Sequence, residues 1–340
     1  MIEILDCTLR DGSYAIDFGF TTDQTEIISS NLHNFGCSYV EVGHGIGLGA
    51  SAKGMGVAAA SDEEYMAAAM GRWGMFCIPG IAELDDIRLA ADHKMDFIRI
   101  GCNIEDVANA APFICLARTL GIYVFSNMLK SYTESPRIFA ERAKELYGYG
   151  AQCVYIVDSA GYMTSQTIRD YALAVKEINP NIDLAFHGHN NLGLAVANAF
   201  YCHESGLFRV VDTTMQGIGR GGGNVSTEQF LALMVKHAGY ESRYLVPLMQ
   251  LSEDYIRPLM GGGISSLDVV SGMAGFHSSY MPKILKWAKV QRIDPRYLIL
   301  AVAARNQVDA PEKLIADCAR GIEKKNVFLP ISAYCGEEQG

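Results

Sequence analysis

Two short stretches carry the residue types that handle metal ions and developing negative charge. Asp183 to Asn191 reads Asp-Leu-Ala-Phe-His-Gly-His-Asn-Asn. Leu184 and Phe186 alternate with Ala185, His187 and His189, as in a strand whose successive side chains face opposite ways. The i, i+2 spacing puts both imidazoles on one face, at the strand's C-terminal end. Two neutral imidazoles held side by side suit a divalent metal, although a His-x-His pair alone is also an ordinary way to end a strand. The second stretch, Thr8-Leu9-Arg10-Asp11-Gly12-Ser13, ends the first apolar run with a guanidinium and a carboxylate. Asp11, His187 and His189 make a plausible mixed N/O ligand set with open positions for water or substrate; read alone, Asp11 is a turn residue ahead of Gly12. Such a set suits Mn²⁺, Co²⁺, Mg²⁺ or Zn²⁺, and manganese best, because it tolerates six-coordination with both ligand types. Arg10 stays charged and can donate to an oxyanion forming on the substrate, or it can close a salt bridge with Glu41. The two uses are compatible, since an inward Glu41 would orient Arg10.

These residues need elements to bring them together. Short apolar runs at 2–7, 38–43, 74–78, 96–101, 122–128, 153–158, 183–189 and 208–214 are predicted strands. Helical patterns lie between them at 22–35, 61–71, 82–92, 105–119, 135–149, 165–178, 193–205 and 226–238. Thr22, Ser61, Ser135 and Ser165 are predicted N-caps, and Pro79 and Pro180 fall in connections. Repeated strand–helix units predict an α/β fold, a (β/α)8 TIM barrel rather than an open doubly wound sheet. The run Gly217-Ile218-Gly219-Arg220-Gly221-Gly222-Gly223 invites a dinucleotide-loop reading. It follows the last strand, however, and no acidic residue closes a βαβ unit beyond it. Past Gly239 only helical patterns remain, at Leu245–Met260, Ser266–Gly275, Ser279–Val290, Pro295–Arg305 and Pro311–Lys324. The expected division is a catalytic barrel over 1–240, an all-α C-terminal region over 241–325 and a tail over 326–340.

In such a barrel the chemistry collects at the C-terminal ends of the strands. That gathers Arg10 and Asp11, Glu41 and His44, Asp158 and Ser159, His187 and His189, and Asn224 in the loop after the last strand. Ser159 suits either a substrate carboxylate or a helix cap. Arg99, inward on the fourth strand, belongs with the polar interior. His44 is a candidate for lining the pocket, whereas His33, His93, His203 and His237 lie on or beside helices as surface or core residues.

Composition sets the outer bounds. Of 340 residues, 49% are hydrophobic and 19% charged, which fits a globular chain with a sizeable core. The net charge of −10 has no basic block against it, so a nucleic-acid or anionic membrane surface is disfavoured. Nine cysteines show no Cys-x-x-Cys pair, and Cys77, Cys102 and Cys153 sit in apolar runs, as reduced thiols do. No apolar stretch reaches the ~18 residues of a membrane span, and no leader of basic then apolar residues precedes Ile4. A cytoplasmic location is expected.

Thr-Leu-Arg-Asp-Gly-Ser, Val-Glu-Val-Gly-His-Gly, Val-Asp-Ser-Ala-Gly, His-Gly-His-Asn-Asn and Gly-Gly-Gly-Asn occur in that order along the chain. Together they resemble the metal-dependent barrel lyases that include HMG-CoA lyase and the Claisen-type synthases. The match is best to the 4-hydroxy-2-oxovalerate (4-hydroxy-2-ketovalerate) aldolase family. The resemblance extends into Gly272-Met273-Ala274-Gly275-Phe276-His277-Ser278-Ser279. It implies that Asp11, His187 and His189 bind Mn²⁺ or a similar ion, and that a 2-oxo acid chelates it. It further implies that Arg10 stabilises the enolate, that Ser159 helps hold the carboxylate, and that retro-aldol cleavage yields pyruvate and an aldehyde.

One departure stands out. The family's aldolases usually carry a His two residues after the first Asp-Gly, as the proposed base, and a Tyr in the C-terminal segment. This chain has Tyr14 and His277 there. An unperturbed tyrosine titrates near about 10 and an imidazole near about 6.5, so His277 is the expected base and Tyr14 the group that orients the substrate hydroxyl. The rival within the superfamily, an acyl-CoA/2-oxo acid synthase, tends to show His-Asn-Asp where this chain has His-Asn-Asn. HMG-CoA lyase is disfavoured because no cysteine falls between Cys202 and Cys318. A non-catalytic barrel serving as a binding subunit is disfavoured by the intact ligand set. The resemblance also brings an acylating aldehyde dehydrogenase as a partner through the helical region. The exchanged Tyr and His speak instead for a different aldehyde or a free-standing enzyme. Self-association into a symmetric homo-oligomer is the default expectation.

Overall fold

Runs rich in β-branched and aromatic residues form the strands, and amphipathic segments between them cover the barrel they build. The computed structural model describes residues 2–322. Strands β1 (Glu3–Asp6), β2 (Tyr39–Val42), β3 (Trp73–Cys77), β4 (Phe97–Asn103), β5 (Tyr123–Leu129), β6 (Cys153–Asp158), β7 (Asp183–Gly188) and β8 (Val210–Thr213) close in sequence order. All pairings are parallel, and β8 returns to β1 in the register Glu3↔Val210 to Asp6↔Thr213. Helices α1 (Thr22–Asn34), α2 (Asp62–Ala68), α3 (Leu84–Asp92), α4 (Val107–Thr119), α5 (Pro136–Tyr149), α6 (Ser165–Ile178), α7 (Ala195–Ser205) and α8 (Thr227–Ala238) fill the intervals. The expected TIM barrel is the observed one.

The period of two along each strand sorts the side chains. Ile4, Val40, Ile98, Val124, Val154, Leu184 and Val211 face the helices. Leu5, Tyr39, Phe97, Phe125, Tyr155, Ala185 and Val210 fill the barrel. Tyr39, Phe97 and Phe125 meet edge to face with centroids 5.3 to 5.5 Å apart, which plugs the barrel with an aromatic layer. Two residues further along their strands, the same parity brings Glu41, Arg99, Asn127, Val157, His187 and Asp212 inward, directly above that plug.

Two caps differ from expectation. Thr21, not Thr22, caps α1, and Thr164, not Ser165, caps α6. In each pair of hydroxyl residues, the one with extended backbone takes the cap and its neighbour becomes the first helical residue. Ser61 and Ser135 cap α2 and α5 as expected.

The helical region contains α9 (Leu245–Tyr255), α10 (Ser266–Ala274), α11 (Met281–Gln291), α12 (Pro295–Ala303) and α13 (Glu312–Gly321). The helix expected to run to Met260 stops earlier, because Pro258 removes an N–H and crowds the carbonyl four residues back. Leu248, Leu251 and Ile256 share the barrel's apolar core, whereas Leu267, Phe276, Ile284, Leu298, Ile299 and Ile315 form a second one. The predicted helix end at Lys324 and the tail 326–340 fall outside the described residues. No helix among the described residues is long and apolar enough to cross a membrane.

Candidate active site

Above the aromatic plug lies a layer of buried charge. Arg99 is fully buried, with its guanidinium 4.5 Å from the centre of the Tyr155 ring. Its Nη1 donates to Glu41 Oε2 at 2.6 Å and its Nη2 to Asp212 Oδ2. Glu41 Oε2 also accepts from Arg10 Nε at 2.8 Å, and Arg10 Nη1 donates to Asp11 Oδ1 at 2.7 Å. On the other side, Asp212 Oδ2 accepts from His187 Nδ1 at 2.8 Å. A continuous chain of charged contacts therefore links Asp11 to His187 through the floor of the site.

The top of this layer opens into a cavity of about 270 Å³, lined among others by Arg10, Asp11, Tyr14, Ser159, His187, His189 and His277. Asp11, His187 and His189 each offer a ligand atom, all within 4.8 Å of one another. The donor set fits a divalent ion on its protonation chemistry. Burial opposes the charge on Asp11, but Arg10 and then the two histidines outweigh it and hold the carboxyl well below the usual range. Burial pushes His189 down to about 3, so the ring is neutral. His187 Nδ1 is bonded to Asp212 and His189 Nδ1 lies 3.2 Å from the Gly223 carbonyl. Both contacts place the ring proton on Nδ1 and leave Nε2 as the free lone pair. Asn224 Nδ2 donates to Asp11 Oδ2 at 2.6 Å, fixing the third donor. A second grouping, Cys7 with His187 and Asp212, lies below the cavity. There burial keeps the thiol far above its ordinary pKa, and its proton goes to the Thr213 carbonyl.

Ser159 lines the cavity rather than capping a helix. Its Oγ accepts the Lys130 N–H at 3.1 Å, and the tight turn is instead held by Asp158, which accepts from Tyr162 and Met163 N–H at 2.8 Å each. Burial raises Asp158 to about 6 despite those bonds. His44 does not line the cavity. Its ring stacks on Phe18 with centroids 4.0 Å apart, and its Nδ1 accepts the Ile46 N–H, so it shapes the loop instead. Asn224 likewise faces Asp11 and the Ile218 carbonyl from outside the cavity.

Tyr14 and His277 both reach the cavity wall. Burial raises the Tyr14 phenol, which argues further against it as a base. Burial, then Arg220 and Lys130, push His277 well below its ordinary value, so it is neutral at physiological pH. Its Nδ1 lies 2.6 Å from Ser279 Oγ and 3.2 Å from the Ser279 N–H. When the hydroxyl accepts from Nδ1–H, Nε2 is a free base. When the backbone N–H donates to Nδ1, Nε2 carries the proton.

Asp212, Lys130, Arg220 and Ser279 were not singled out from the sequence. Parity on the last strand would have found Asp212, two residues beyond the inward Val210. The strand-end rule applied to β5 would have found Lys130. Arg220 and Ser279 sit in loops whose path no local pattern specifies.

A family model described as HMGL-like matches residues 1–254. A 4-hydroxy-2-oxovalerate aldolase of Carboxydothermus hydrogenoformans is 32% identical over 333 residues, spanning 96% of this chain and 98% of that one. Its counterpart from Pelotomaculum thermopropionicum is 34% identical over 325 residues, spanning 94% and 95%. Among solved structures, the HMG-CoA lyase of Brucella melitensis aligns with a TM-score of 0.63 at 22% identity, over 75% of this chain and 99% of that chain. The carboxyl transferase domain of Rhizobium etli pyruvate carboxylase aligns at 0.75 and 16%, over 94% and 60%. These two likenesses concern the fold alone. On the family model and the near-full-length relatives, the chain belongs to the HMGL-like family and, within it, to the family of the 4-hydroxy-2-oxovalerate aldolases.

Proposed function

We propose that this chain is a divalent-metal-dependent carbon–carbon lyase, a class II aldolase that splits a 4-hydroxy-2-oxo acid into pyruvate and an aldehyde and rejoins them in reverse. The observation that carries this reading is the convergence of Asp11, His187 and His189 at the cavity, each with a partner that fixes its donor atom. A divalent ion held there, Mn²⁺ first and Co²⁺, Mg²⁺ or Zn²⁺ as alternatives, supplies Lewis-acid polarisation of the substrate's keto group.

The protein's own groups do the rest. Ser159 Oγ–H donates to the substrate carboxylate, since its oxygen already accepts from Lys130. Arg10, held by Glu41 and Asp11, keeps N–H groups free to meet the enolate oxygen. His277 Nε2 takes the proton from the 4-hydroxyl, the C3–C4 bond breaks, and its electron pair becomes the C2–C3 double bond of pyruvate enolate as the aldehyde carbonyl forms. A proton added at C3 completes pyruvate. Tyr14, half-buried at the cavity wall, orients the substrate hydroxyl. An acylating aldehyde dehydrogenase, a second copy of the chain and a cytoplasmic setting belong to the same proposal. The last is supported by eight free thiols among the described residues, seven of them buried.

The test is metal-stripped protein re-supplied with Mn²⁺ and offered a panel of 4-hydroxy-2-oxo acids, with pyruvate as the readout. Pyruvate release that needs the metal is expected. Absence of pyruvate, with thiol release from acyl-CoA and a 2-oxo acid in the same preparation, would replace the aldolase with a synthase.

A further inference from the structure

The charged chain beneath the cavity is almost self-balancing. Asp11, Glu41 and Asp212 face Arg10 and Arg99, one negative charge in surplus. A divalent ion turns that surplus into one positive charge, and the carboxylate of a 2-oxo acid cancels it. Two further cations line the same cavity outside this balance, Lys130 and Arg220. Among the described residues Asp11 is the one carboxylate in the lining, and Arg10 already occupies it.

Lys130 follows β5 in left-handed backbone (φ 54°) and is only 8% exposed. Its Nζ donates to the Val308 carbonyl and lies 3.4 Å from Tyr280 OH, both neutral partners. Arg220 lies over the Tyr14 ring at 4.7 Å, and its buried Nε has no hydrogen-bond partner among the described residues. Asp309 and Glu105 act on Lys130 from a distance, Asp309 through Tyr280 OH, but among the described residues no carboxylate forms an ion pair with either cation, so an anion in the cavity would be favoured. The place where it would arrive is also marked. The ligand set, Arg10 and Ser159 hold the 2-oxo acid end, whereas His277 marks C4, and both cations act on His277 electrostatically.

Resting on the aldolase reading, we propose that the aldehyde half of the substrate carries an anionic group, a carboxylate or a phosphate, bound between Lys130 and Arg220. These two side chains then set specificity for the aldehyde.

The experiment uses the Mn²⁺-loaded full chain in the condensation direction. Pyruvate is paired with propanal, with succinic semialdehyde or with glyceraldehyde 3-phosphate, and kcat/KM is compared. At least one anionic aldehyde should exceed propanal by about 10- to 100-fold, the worth of a charge-assisted bond, and the two anionic arms tell carboxylate from phosphate. Lys130→Met and Arg220→Gln should each collapse that ratio toward one, with Lys130→Arg keeping part of it. The ratio is read within one preparation, so partial misfolding of a variant leaves it interpretable. Propanal used as well as both anions, or a ratio unmoved by both substitutions, overturns the proposal. Exchange of pyruvate methyl protons with deuterated solvent, followed by NMR, needs no aldehyde. Exchange without any preference for anions sinks this inference alone; no exchange and no condensation sinks the aldolase reading and this one with it.

Discussion

Arg99→Met tests whether the buried ionic layer supports the barrel. Methionine keeps most of the stem's length but removes the guanidinium that bridges Glu41 and Asp212 and lies over the Tyr155 ring. Breaking one buried ion pair from one side costs about 3–5 kcal/mol. Here two carboxylates lose a partner at once; Glu41 retains Arg10, and Asp212 retains the His187 Nδ1 contact. The upper part of that range is therefore expected, against a total stability of about 5–15 kcal/mol for a typical domain. At about 2 °C per kcal/mol for a long chain, the midpoint should fall by roughly 8–10 °C. The sign of the pH dependence follows from Asp212. Burial works to raise its carboxyl, but Arg99 and then His187 hold it below the usual range. A carboxyl depressed in the folded state stabilises it above the unfolded pKa, and that contribution is lost as pH falls through the folded value. Without Arg99, burial prevails, the folded value rises, and protonation relieves the variant as pH falls. The gap between the two proteins should thus be widest near about pH 7.5 and narrower near about pH 5, in thermal unfolding followed by near-UV circular dichroism. Arg99→Lys should recover part of the loss, since a point charge replaces a fork. An Arg99→Met midpoint unchanged at both pH values would refute the reasoning.

Other perturbations probe the site itself. Asp212→Ala removes the acceptor that orients His187 and should weaken Mn²⁺ binding by about 10- to 100-fold, read by calorimetric titration; unchanged affinity would mean the contact does not set the ligand. Gly219→Ala places a Cβ 2.4 Å from Asn224 Nδ2 and 3.2 Å from Asp11 Oδ2, so the amide must move off the carboxylate. Metal affinity should drop with little change in melting temperature, and a variant that binds metal normally would show that Asn224 is dispensable. His277→Ala should lower kcat by about 10²- to 10⁴-fold, and Ser279→Ala should lower kcat by less while moving KM little, because it favours the tautomer with the proton on Nε2. With His277 held neutral far below its ordinary value, kcat should stay flat from alkaline pH down past about 6.5. An acidic limb centred at that value would assign the base to another group.

The fold was legible because the strand period and the helix period alternate without interruption from Ile2 to Ala238. Hydrophobic pattern alone located every strand to within two residues at either end. Cap identity was less legible, because Thr21 and Thr22, or Thr164 and Ser165, offer the same hydroxyl and only backbone geometry separates them. Asp11, His187 and His189 could be read together because all lie at or just beyond strand ends, where the barrel dictates convergence. His44 could not, since the turn at Gly43 (φ 98°) carries it onto Phe18. Arg220 and Ser279 reach the cavity from loops after β8 and α10, and their approach depends on how the helical region docks. Nothing in local sequence encodes that docking.

The aromatic plug has a kinetic meaning. Tyr39, Phe97 and Phe125 are buried and packed together in the barrel below the cavity, so that side offers the substrate no way in. Whatever sits against Arg10 and the ligand set must enter first and depart last. Cleavage should therefore release aldehyde before pyruvate, and condensation should follow a compulsory order with pyruvate leading. In steady-state product inhibition, pyruvate would then compete with the 4-hydroxy-2-oxo acid for free enzyme, and the aldehyde would not.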